Sequence, residues 1–131
     1  MAVEVVLGIE NRIGALAEVT SILTRAGLTV EGVTLGRHPD GNNMRFMVSE
    51  PKRALALLRE HGYEARLREV AALHVDNEPG AINRAADLLS KRGINIEAVY
   101  IAAKSSTRVQ LIFQVDDVEG ARKALKKVEE E

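Results

Sequence analysis

The chain has 131 residues, a formal net charge of −1 from 18 basic and 19 acidic side chains, and no cysteine. That length holds one ordinary domain or two very small ones. The balanced charge leaves no electrostatic footprint for nucleic acid or an anionic membrane, and the lack of cysteine excludes a disulfide framework, thiolate metal sites and a cysteine nucleophile.

No apolar run approaches the ~20 residues of a membrane span. The start, Met1-Ala2-Val3-Glu4, lacks the basic opening of a secretory signal and reads directly as a strand. A soluble cytoplasmic protein is expected. In that strand Val3, Val5, Leu7 and Ile9 alternate with Glu4, Val6, Gly8 and Glu10, which is period two with one well-buried face. Leu16, Val19, Ile22, Leu23 and Ala26 follow at helical spacing, and Gly27 stops the helix. Leu28 and Val30 open a second strand whose phase breaks at Gly32, with Val33 and Leu35 resuming one residue late. A one-residue slip turns side chains to the wrong face, so a β-bulge is expected there.

His38-Pro39-Asp40-Gly41-Asn42-Asn43 is a turn cluster. Met44, Phe46 and Val48 make a third strand. Pro51 suits the first turn of a second helix, which turns Ala54, Leu55, Leu57 and Leu58 inward and ends at Gly62. Tyr63, Ala65 and Leu67 then alternate straight on into Ala71, Leu73 and Val75 with no turn signal. One long strand that changes domain near Glu69 is the expectation.

From there the pattern repeats. Gly14 and Gly80, Gly27 and Gly93, and Glu31 and Glu97 are each 66 residues apart. Ile94 and Ile96, a slip at Ala98, then Val99 and Ile101 repeat the bulged strand. Val109, Leu111, Phe113 and Val115 repeat the third strand at a spacing of 67, so the second hairpin is one residue longer. A helix from about Val118 through Ala121, Leu125 and Val128 follows, and the chain stops before a fourth strand. So long a period is a duplicated small domain, not a solenoid. Each copy reads β-α-β-β-α-β. The fold class is α+β: two ferredoxin-like units in tandem, residues 1–69 and 70–131, with antiparallel sheets, helices on one face, and the last strand missing from the second. A half of about 65 residues buries only about 60% of its unfolded surface.

The best-retained stretch is a loop, and loops carry function more often than packing. Asn11-Arg12-Ile13-Gly14 and Asn77-Glu78-Pro79-Gly80 each set a polar side chain and a glycine where the first strand meets the first helix. A helix N-terminus presents unpaired N–H groups and the positive end of a dipole, a ready place for a carboxylate. Glycine lets a ligand approach the backbone, and asparagine brings one acceptor and two donors. An α-amino acid asks for this pair of capacities, and Asn95, just after Gly93-Ile94, is in place to reach such a cleft. Structural roles compete: Asn11 and Asn77 as helix caps, Gly14 and Gly80 as packing positions, Thr29 and Asn95 as solvent-facing strand residues, and Glu31 and Glu97 as solvated charges. His38, His61 and His74 lack metal-ligand spacing and read as surface residues.

Asp76-Asn77-Glu78-Pro79-Gly80-Ala81-Ile82, a helix, then Gly93-Ile94-Asn95-Ile96 resembles the signature of the ACT domain, a small βαββαβ regulatory module that binds amino acids. The resemblance covers almost the whole chain, twice, and is greatest to free-standing tandem members without a catalytic domain. It implies ligand contacts from the loop asparagine and from the asparagine after the helix-ending glycine: Asn77 and Asn95 in the second copy, Asn11 and Thr29 in the first. It extends the expected ligand-binding set to Arg12, Ile13 and Gly14, and to Glu78, Pro79, Gly80, Ala81 and Ile82. The first copy has Ile13 where the family has proline. The histidine that some serine-binding members carry is replaced by Ile9 and Val75. The second copy is the better-preserved site.

The expected function is a non-catalytic amino-acid-binding regulator, with a free L-amino acid as ligand, no metal or cofactor, and an enzyme of amino-acid metabolism as a candidate partner. The alternative is an assembly module without a small ligand. An RNA binder is disfavoured by one aromatic in each third strand and no basic excess. An enzyme is disfavoured because no nucleophile–base set, metal cluster or phosphate loop is present. Without a fourth strand, Ala71–Val75 would lie at a sheet edge free of proline and lysine. A homodimer is the expected cover, with the Lys126–Glu131 tail or side-by-side packing of the copies as alternatives.

Overall fold

A computed structural model describes residues 2–38, 41, 43–103, 105 and 107–129. In chain order they form β1 (Val3–Leu7), α1 (Ala15–Arg25), β2 (Val30–Leu35), β3 (Met44–Val48), α2 (Pro51–Glu60), β4 (Ala65–Glu69), β5 (Ala71–Asp76), α3 (Ala81–Lys91), β6 (Ile96–Ala103), β7 (Arg108–Val115) and α4 (Val118–Glu129). Pro39, Asp40 and Asn42 of the expected turn lie outside the described residues, as do Glu130 and Glu131 of the tail. The chain divides into two compact units between Arg68 and Glu69, with Ala2 grouped with the second.

The first unit has a four-stranded sheet in the order β2-β3-β1-β4, the second a three-stranded sheet in the order β5-β7-β6. β3 runs antiparallel to β1 and β2, and β7 antiparallel to β5 and β6. This is the ferredoxin-like arrangement, twice. Only Val70 separates β4 from β5, so the expected long strand is two strands that pass directly from one sheet to the next.

Each core is one sheet face closed by two helices, and the cores correspond position by position. Leu7, Ile9, Ala15, Leu23 and Leu28 recur 66 residues on as Leu73, Val75, Ala81, Leu89 and Ile94. Met44, Phe46, Val48, Ala54 and Leu58 recur 67 residues on as Leu111, Phe113, Val115, Ala121 and Leu125. Side chains shrink at three pairs, by a methylene from Ile9 to Val75 and to alanine from Val5 to Ala71 and from Val19 to Ala85. Two expectations need correction. Glu4 and Val6 are fully buried along with Val5 and Leu7, so β1 is covered on both faces. Leu16, read as inward from its helical spacing, is 38% exposed, because the buried face of α1 runs through Ala15, Val19 and Leu23 and Leu16 lies beside it.

Both bulges are present. Register shifts between Val30 and Gly32 and between Ile96 and Ala98, so Glu31 and Glu97 are the inserted residues. Beyond them Val33 and Leu35 pair with Phe46 and Met44, and Val99 and Ile101 with Phe113 and Leu111. Directly paired residues share a face, so the bulge returns four apolar side chains to the helix side of the sheet. Val33, Leu35, Val99 and Ile101 nonetheless stay 42–53% exposed.

β5 lies at a sheet edge. Its apolar residues Ala71, Leu73 and Val75 face the core. At the edge itself, the His74 N–H donates to the Glu129 carboxylate at 2.8 Å, and Arg122 donates to the Val70 carbonyl at 2.9 Å. The described part of the tail, Lys126–Glu129, is the end of α4 and reaches this edge through the Glu129 side chain. Among the described residues no helix is long and apolar enough to cross a membrane.

Candidate functional site

The residue that caps α1 is Gly14 (φ 85°), and the residue that caps α3 is Gly80 (φ 86°); neither helix start has a side-chain cap. Asn11 and Asn77 are therefore not helix caps, and both are exposed. The left-handed φ explains each glycine, since a Cβ there costs roughly 1–2 kcal/mol. Packing does not explain Gly14: a Cβ on it would meet nothing within 4 Å.

A cleft of about 660 Å³ opens beside this loop in the first unit. The loop and the start of α1 contribute Glu10, Asn11, Arg12, Gly14, Leu16 and Ala17; the end of β2 and the hairpin contribute Leu35, Arg37 and Asn43. Ligand pockets run from roughly 300 to 1,000 Å³. The Glu18 N–H is bonded to the Gly14 carbonyl at 3.0 Å, an i→i−4 helical bond. Leu16 and Ala17 precede that bond and line the cleft, so its wall includes the donor-rich first turn of the helix. The Asn43 side chain donates to the Ile9 carbonyl and ties the hairpin to the end of the first strand.

Arg12 is held on the loop by two carboxylates, Glu10 at 3.1 Å and Glu18 at 2.6 Å, and the Tyr63 hydroxyl donates to Glu18 at 3.2 Å. The hydrogen bond from Arg12 holds the Glu18 carboxyl below its ordinary range, and the bonds from Glu18 and Glu10 raise the Arg12 guanidinium further. Desolvation, then the nearby Glu18 charge, pushes the Tyr63 phenol up. The second unit carries the same strap with its charges exchanged. Glu78 on the loop pairs with Arg84 on α3 at 2.8 Å, at positions 66 residues beyond Arg12 and Glu18. Arg84 also overhangs the helix start, its Nη1 lying 3.4 Å from where a Gly80 Cβ would stand.

The other expected residues are distributed unevenly. Ile13 is fully exposed, Ile82 is 47% exposed, Ala81 is buried, and Pro79 stands exposed on its loop. Thr29 and Asn95 sit past the far ends of α1 and α3. Each of those helices has 11 residues, a length of ~16 Å. One unit therefore does not bring Asn77 and Asn95, or Asn11 and Thr29, together. The Asn95 backbone is fixed to Asp116 and the Thr29 backbone to Ser49, and Asn95 lines a separate depression with Ser90, Gly93 and Ile94. Leu35, Arg37 and Asn43 were not anticipated from the sequence. The bulge at Glu31 was the available signal for Leu35, because it moves that side chain to the helix face beside the loop.

Two ferredoxin-like units, each with a glycine-capped strand–helix loop, place the molecule, and the chain belongs to the family of ACT domain pairs, whose model matches residues 1–130. Membership implies a regulatory role. Among solved structures the chain is similar to protein BT0572 from Bacteroides thetaiotaomicron, with TM-score 0.84 and 24% identity over 97% of this chain and 88% of that one. It is also similar to the ligand-free regulatory subunit of aspartate kinase from Thermus thermophilus, with TM-score 0.67 and 25% identity over 95% and 90% of the two chains. The regulatory subunit from Thermus flavus has TM-score 0.63 and 24% identity over the same shares. No curated protein sequence matches it.

Proposed function

We propose that the chain is a non-catalytic, cytoplasmic regulator, with residues 1–69 and 70–131 as its two domains, that binds a free L-amino acid at the strand–helix loops. The observation that carries this reading is the cleft of the first unit, where an exposed asparagine that caps nothing stands beside a donor-rich helix start. Membership of the ACT domain pairs and likeness to aspartate kinase regulatory subunits support it. They also favour an enzyme of amino-acid metabolism as the partner. A thermal-shift screen of the twenty amino acids tests the reading. A ligand at 100 times its dissociation constant adds about 2.7 kcal/mol of stability. If none shifts the melting temperature at millimolar concentration, the reading is wrong.

The assembly reading is favoured by one observation of its own. Leu16, Val33 and Leu35 are exposed in the first unit, and Ile82, Val99 and Ile101 are exposed at the matching positions of the second. We propose that the chain is a homodimer that covers Val33, Ile82, Val99 and Ile101 along the β2 and β6 edges, since α4 already engages the β5 edge, and leaves Leu16 and Leu35 facing the cleft of the first unit. A second copy would also be a source of the Asn95-type contact that one unit cannot bring to its own loop. Light scattering at micromolar concentration is expected to report about twice the 14.3 kDa of one chain. A monomer with and without amino acids removes the dimer and keeps the ligand reading.

A further inference from the structure

We infer that the cleft of the first unit selects an amino acid with an apolar side chain, which Leu16 and Leu35 receive. The inference rests on the reading of this cleft as an amino-acid site. It begins with the bulge: inserting Glu31 sets Leu35 opposite Met44, on the helix side of the sheet, yet leaves it 51% exposed. Leu16 stands 38% exposed in the first turn of α1 and lines the same cleft. Two leucines on different elements thus form an apolar wall facing one opening. The polar groups lie around it. The Arg12 charge is engaged by Glu10 and Glu18, and among the described residues no ion pair engages Arg37, which lines the same cleft from beyond β2. Arg37 and the helix start suit one carboxylate, and the Asn11 amide oxygen with Oε1 of Glu10, whose Oε2 accepts from Arg12, suits one ammonium. A second charge, on a ligand side chain laid against the leucines, would lose water without gaining a partner. At about 660 Å³ the cleft has room for a large aliphatic side chain. In the second unit Arg84 overhangs the corresponding helix start, so the first unit carries the inference.

Calorimetry with alanine, valine, leucine, phenylalanine, serine, aspartate and lysine tests it. Affinity is expected to rise about four-fold per buried methylene, so on the order of 50-fold from alanine to leucine. Leu35→Ala is expected to weaken leucine about ten-fold and leave alanine unchanged. The mass of that variant, read at the same concentration, separates a ligand wall from an interface. The inference is overturned, and the amino-acid reading kept, if serine, aspartate or lysine binds more tightly than leucine. It is likewise overturned if Leu35→Ala weakens alanine and leucine equally or halves the mass. If no member of the panel binds, the amino-acid reading and this inference fail together.

Discussion

Replacing Phe113 by Ala is expected to destabilise the second unit by about 3–5 kcal/mol, the range for truncating a buried phenylalanine. Phe113 is fully buried on β7, the central strand of its sheet, paired with Ala71 on one side and Val99 on the other. Its core is rich in alanine: Ala71, Ala81, Ala85, Ala121 and Ala124 all belong to it. Alanine has no side-chain torsion with which to swing into the space a lost ring leaves, so the cavity should persist. A unit of some 60 residues is stable by only about 3–9 kcal/mol, so the loss removes most of its margin. Urea unfolding followed by circular dichroism should show an early transition for the second unit. Phe46→Ala should cost less, because Val5 and Val19 stand in its core where the second unit has alanines, and the gap can partly close. Equal losses for the two variants, or a shift below about 1 kcal/mol for Phe113→Ala, would show that core composition does not control this response.

Asn11→Ala is expected to weaken the bound amino acid by about 1.5–3 kcal/mol, the range for a hydrogen bond to a charged group, with little change in stability. Asn11 lines the cleft, is exposed, and caps no helix, so the fold does not depend on its amide. Asn77→Ala should have the smaller effect, which reverses the ranking read from the sequence. There the motif around Asn77 is the better preserved; in the structure Asn11 lines the cleft of about 660 Å³, whereas Arg84 overhangs the helix start beside Asn77 and nothing overhangs Gly14. Isothermal calorimetry of the two variants with the tightest ligand of the screen decides between the rankings. A larger loss at Asn77 would return the site to the second unit.

Much of the fold was legible in the chain itself, because it rests on local rules. Apolar alternation marks β1, β3, β5 and β7. Glycines at Gly27, Gly62 and Gly93 mark helix ends, where their positive φ values suit the left-handed turn. Two slips of phase mark both bulges, since a strand with a buried face cannot shift by one residue unnoticed. The constant spacing of 66 exposes the duplication before any contact is known. The loop with Asn11 and Gly14, and its copy, is visible for the same reason. What the sequence by itself determined is thus the architecture, the family and the loops at which the site is proposed. What only the tertiary structure decided is which residues line the cleft beside the first of those loops. Leu35, Arg37 and Asn43 reach the cleft from a hairpin more than twenty residues away, and Asn95, which follows the same motif in sequence, ends a helix length from Asn77. The strap that pins each loop is equally hidden: Arg12–Glu18 and Glu78–Arg84 are six apart in sequence, outside the three- and four-residue spacings that pair side chains along a helix. Only the turn before each helix brings such charges into contact, and that turn exists because a glycine accepts a backbone angle that other residues resist.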